Sequence, residues 1–134
     1  MKILIGIGHP KHVHFWRNIL IELGKRGHET KLVIRDKDVI STLLNYYKID
    51  YELLGKNHKG LIKKGSGLLD SIVKLIIISI KFKPDLYMGG ADLGPTSRIF
   101  RKPNIFIHDT EHSTIENYII YFFSDVICTP AFFK

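Results

Sequence analysis

The chain has 134 residues, 45% of them hydrophobic and 25% charged, with 20 Lys and Arg against 13 Asp and Glu. That is one domain with enough apolar material for a core, and it excludes a disordered or collagen-like chain. The single cysteine, Cys128, excludes a disulfide framework and a zinc ribbon. The net charge of +7 suits anionic partners: nucleic acid, phosphorylated metabolites or acidic headgroups. Ile3–Ile7 is too short for a signal-peptide core, and Leu68–Phe82 is interrupted by Asp70, Lys74 and Lys81, short of the ~20 residues of a membrane span. The expected location is cytoplasmic, with a peripheral option at the inner face of an acidic membrane.

Ile3–Ile7 reads as a strand buried on both faces and runs into the loop Gly8–His12. A helix follows with Phe15, Trp16, Ile19, Leu20 and Leu23 on one face, closed by Gly27 as a C-cap glycine. Thr30–Ile34 is a second strand. Asp38 opens a helix through Tyr47 with Val39, Leu43, Leu44 and Tyr47 inward, and Tyr51–Leu54 is a third strand. Gly55–Gly67 reads as a glycine- and lysine-rich loop, and Leu68–Lys81 as the most apolar helix. Asp85–Met88 is a fourth strand, Pro95–Phe100 a short helix, Asn104–Ile107 a fifth strand, Thr114–Phe123 a helix and Asp125–Cys128 a sixth strand. Strands and helices alternate throughout, which predicts an α/β, Rossmann-like doubly wound parallel sheet of order 3-2-1-4-5-6.

In such sheets ligands bind at the carboxyl ends of the strands, near the switch point between strands 1 and 4. The loop after strand 1 holds Gly8, His9, Lys11 and His12, with His14 in the helix that follows. Arg35 and Asp36 follow strand 2. Lys56, His58 and Lys59 follow strand 3, and Gly89, Gly90 and Asp92 follow strand 4. His108, Asp109, Thr110, Glu111 and His112 follow strand 5, so six of seven histidines fall on this edge. A helix N-terminus is a ready anion site, and His14 beside it is a candidate general base or phosphate contact. Asp109 and Glu111 are candidate acid–base groups or orienters of His112. The lysines after strand 3 could clamp a phosphate.

Several chemistries are disfavoured. Gly6-x-Gly8 lacks the third glycine of a dinucleotide fingerprint, which argues against NAD. The histidines and acids match no defined metal spacing, leaving a metal-dependent hydrolase a minor reading. Tyr46, Tyr47 and Tyr51 lack basic interleaving and read as core, so no nucleic-acid partner is expected. Cys128 reads as an inert core residue.

His12–Phe15, Leu23–Glu29, Lys83-Pro84-Asp85 and Asp109–His112 together resemble an archaeal and bacterial family, domain of unknown function 354. That family is similar to the GT-B glycosyltransferases, including the lipid-linked N-acetylglucosaminyltransferase of peptidoglycan synthesis, and to the non-hydrolysing UDP-N-acetylglucosamine 2-epimerases. The resemblance is to their N-terminal, acceptor-side domain. It implies a nucleotide-sugar donor held by a second domain, a phosphorylated or lipid-linked acceptor, and no obligatory metal. His14, Asp109, Glu111 and His112 would line the cleft. Because the matched region is one domain, the resemblance implies half an enzyme: no complete activity is expected of this chain alone, and a separate donor subunit is one arrangement it allows. Epimerase-like chemistry and a non-catalytic domain binding a phosphorylated ligand or anionic lipid are the alternatives.

Overall fold

In the computed structural model, which describes residues 1–36, 38–56, 61–107 and 114–129, strands and helices alternate as expected. The elements are β1 (Lys2–Ile7), α1 (Lys11–Lys25), β2 (Glu29–Asp36), α2 (Asp38–Tyr46), β3 (Glu52–Lys56), α3 (Leu61–Phe82), β4 (Leu86–Gly89), α4 (Leu93–Ile99), β5 (Asn104–Ile107), α5 (Thr114–Phe123) and β6 (Val126–Cys128). The six strands form one parallel sheet in the order β3-β2-β1-β4-β5-β6. The chain therefore turns back at β1, and the β1–β4 boundary is the switch point.

The pleat divides β1 between two cores. Ile3, Ile5 and Ile7 point to the side of α1 and α2, meeting Val13, Trp16, Ile40 and Leu44. Leu4 points the other way, with Val33, Tyr87 and Leu93 against Leu75, Ile78 and Phe82 of α3. An apolar run without polar alternation is what a strand covered on both faces requires. α1 ends as its glycine predicts: Gly27, at φ +78°, donates to Gly24 O at 3.0 Å while His28 N donates to Leu23 O at 3.0 Å. This is a Schellman closure, with the left-handed residue falling on glycine.

Some readings change. α3 begins at Leu61, so much of the segment expected as a loop is helix. Gly65 and Gly67 each cost about 1 kcal/mol in a helix, but the helix continues through Phe82 into a packed apolar face. Around α2, Leu44 is buried and Leu43 and Tyr47 pack against the core as expected, but Val39 is exposed and its neighbour Ile40 is buried instead. Phe15 and Tyr46 are also exposed rather than core. Cys128 is exposed too, because β6 is the outermost strand and Val126 and Cys128 share its uncovered face.

Candidate functional site

The carboxyl ends of β1, β2 and β4 meet at one edge, and α1 starts there. Pro10 stands at the α1 N-cap and offers no side-chain acceptor. His9 supplies one instead: its Nδ1 accepts the Lys11 N–H at 3.3 Å, which places the ring proton on Nε2. The first turn carries no acid to offset the positive helix end. Gly8 has open space where a side chain would be. The His9 and His12 ring centroids lie 6.0 Å apart.

His14 is placed differently. Two residues of helix turn it about 200° from His12, onto the flank facing α2. There Tyr47 Oη is 3.1 Å from His14 Nδ1, and the two rings meet edge to face. Arg17 lies over the same tyrosine ring at 4.7 Å. The structure thus brings His9 and His12 together at the strand ends and sets His14 apart from them.

At the end of β4, Gly90 N donates to Gly6 O at 3.1 Å. Gly89 has φ +102°, and a Cβ there would overlap the Gly6 carbonyl oxygen and press on Trp16. Close approach of two strand ends explains why this position is glycine, whether or not a ligand touches it. Asp92 precedes α4 but does not cap it. Its Oδ2 lies 2.8 Å from Arg35 Nε, with the two side chains only 26% and 24% exposed. Arg35 stands at the end of β2, so the pair spans the end of β1 that separates its two strands.

Arg35 is the residue the sequence undervalued. A lone arginine after an apolar strand is visible in the sequence, but its partner is 57 positions away, beyond any local spacing rule. Lys56 ends β3, and its side chain lies outside the described residues, as do His58, Lys59, Asp109, Glu111 and His112. Among the described residues no three His, Cys, Asp or Glu side chains group as a metal site. A groove of about 420 Å³ lies between α1, β2 and the segment after α2, lined by Arg17, Ile21, Thr30, Tyr47 and Asp50 among others. None of the candidate residues lines it. No described helix is long and apolar enough to cross a membrane.

The fold is that of one Rossmann-like domain of GT-B proteins. The chain superposes on MurG of Acinetobacter baumannii with a TM-score of 0.74 at 16% identity, covering 99% of this chain and 42% of that one. It superposes on the UDP-GlcNAc 2-epimerase of Neisseria meningitidis, solved bound to UDP-GlcNAc, with a TM-score of 0.72 at 16% identity, covering 92% and 39%. In sequence it is 24% identical over 132 residues to an uncharacterised protein of Methanocaldococcus jannaschii, covering 97% of this chain and 39% of that protein. The chain thus spans about two fifths of the length of these proteins. Residues 1–133 match the family described as "Protein of unknown function (DUF354)", and the chain belongs to that family.

Proposed function

We propose that this chain is the acceptor-side domain of a GT-B-like enzyme that works on a nucleotide sugar together with a donor-binding domain. The observation carrying this reading is the convergence of Gly8, His9, His12 and the Arg35–Asp92 pair on the carboxyl edge at the switch point. Support also comes from the shared fold with MurG and with an epimerase that binds UDP-GlcNAc. In this reading Gly8, His9, Lys11, His12, Lys56, His58, Lys59, Gly89 and Gly90 meet the anionic acceptor, and Asp92 acts on it through Arg35. Asp109, Glu111 and His112 do the acid–base work, without a metal, and His14 joins them only if it leaves Tyr47. Transfer and 2-epimerisation both need such groups, so both chemistries belong to the proposal. The test is release of UDP, or formation of an epimer, from UDP-GlcNAc and other nucleoside diphosphate sugars by a full-length family member. Conversion that survives EDTA supports the reading. Failure to consume any nucleotide sugar overturns it.

A second observation favours a peripheral membrane site for this domain. Leu69, Val73, Ile77 and Ile80 form a stripe along α3, 66%, 55%, 47% and 58% exposed. At about 100° per residue, Lys74 and Lys81 run beside it, with Asp70 on the same flank. An exposed apolar stripe bordered by lysines, on a chain of net charge +7, matches an acidic bilayer surface. Co-sedimentation with phosphatidylglycerol vesicles, weakened by salt and absent with phosphatidylcholine alone, is the expected result; no sedimentation removes this reading.

A further inference from the structure

The Arg35–Asp92 pair is the most buried of the described ion pairs. The others have at least one partner more than a third exposed. Burying two charges is costly unless their hydrogen bonds are filled. Here they are not. Although Nε lies 2.8 Å from Asp92 Oδ2, its N–H is not aimed along that contact, and Nε and Nη2 are both buried without a hydrogen bond. These two nitrogens form one edge of the guanidinium, the side-on fork that takes two oxygens of one oxyanion. The carboxylate is close enough to hold the charge in place, yet neither nitrogen of the fork has a hydrogen bond.

The surroundings are arranged for the same end. The β2–β3 register shifts between Ile34 and Arg35, which oppose Leu53 and Gly55, so the extra residue, Leu54, lies in β3 and β2 keeps its alternation. Val33 faces the α3 side of the sheet, and strand alternation sends Arg35 to the same side, where Asp92 opens α4. The pair straddles the end of β1, beyond which Gly8 leaves open space.

We propose that Arg35 is a phosphate-recognition residue of this domain: its Nε–Nη2 edge takes two oxygens of a ligand phosphoryl group, and Asp92 is a positioning residue that holds the guanidinium over the strand ends. This deepens the acceptor-side reading and rests on it for the source of the phosphoryl group.

The test is an NMR titration of the 134-residue chain with inorganic pyrophosphate at constant ionic strength, read at the arginine Nε–Hε signals. The Arg35 signal is identified by its loss in Arg35→Lys. The Arg35 resonance should shift saturably while those of Arg17, Arg26, Arg98 and Arg101 follow the chloride control. Affinity should fall about tenfold in Arg35→Gln, the loss of one charge-assisted fork, and by less in Arg35→Lys. If Arg35→Gln does not fold, the wild-type shift and Arg35→Lys still decide. An unmoved Arg35 signal, or unchanged affinity in the variants, overturns the proposal and leaves Arg35–Asp92 a structural pair. Nucleotide-sugar turnover is a separate readout. Pyrophosphate on Arg35 without turnover in the full-length protein overturns the enzyme reading alone, and turnover with a silent Arg35 overturns this proposal alone.

Discussion

Gly89 and Gly6 are in such close backbone contact that a methyl group on Gly89 would occupy the space of the Gly6 carbonyl oxygen. Gly89 also sits at φ +102°, where a side chain is strained before any clash. Gly89→Ala should therefore destabilise the fold by about 3 kcal/mol, combining backbone strain with forced separation of β1 and β4. Urea denaturation measures this. A loss under about 1 kcal/mol would mean that the strand ends part freely.

Asp85 contributes to the acid limb. Its Oδ2 accepts the Lys2 N–H at 2.9 Å, and this bond, aided by Lys102, holds its carboxyl below the usual carboxylate range. A depressed carboxyl contributes stability that is full above the unfolded value, about 4, and is lost as pH falls through the lower folded value. Asp85→Asn should flatten the fall in stability below pH ~4 and leave the slope near neutrality unchanged. An identical acid limb in the variant and the wild type would assign acid unfolding to other groups.

The α3 stripe separates stability from association. Val73 and Ile77 are half exposed, so Val73→Glu with Ile77→Glu should move stability by no more than about 0.5 kcal/mol per site. The same double variant should lose sedimentation with phosphatidylglycerol vesicles. Retained sedimentation would mean that the lysines alone hold the bilayer.

His9 caps α1 through a ring nitrogen. His9→Ala should cost about 1 kcal/mol and His9→Asn little, since an amide oxygen replaces the acceptor. Equal stability of the two variants in thermal denaturation would show that water fills the cap as well as the imidazole does.

Much of this molecule is readable from apolar runs and glycines. β1 has no polar alternation and is covered on both faces, and Gly27 stops α1 where a left-handed residue is required. The order of the sheet follows from strand–helix alternation and the handedness of crossovers. α3 was harder, because Gly65 and Gly67 lower local helix preference while packing elsewhere along the helix sustains it. The α2 face was ambiguous, since Val39 and Ile40 are adjacent and equally apolar and only the sheet chooses between them. At the site, local sequence shows that histidines gather at the strand ends. It does not show that His14 turns to Tyr47 or that Arg35 meets Asp92. Those pairings depend on which strands become neighbours.

The central place of β1 also sets an order of assembly. Its partner on one side, β2, is the next strand in the chain, whereas on the other side Lys2 must meet Asp85, 83 residues away. Closing the longer loop costs more chain entropy before any contact repays it. The β1–α1–β2 unit is thus the natural nucleus, and the β4–β6 half docks onto a seam already formed. Conservative truncations at Ile5 or Leu32 should slow refolding, while those at Ile105 or Ile120 should chiefly speed unfolding, as the two arms of a chevron plot would show. The boundary at which ligands are expected is then the last seam of the sheet to close.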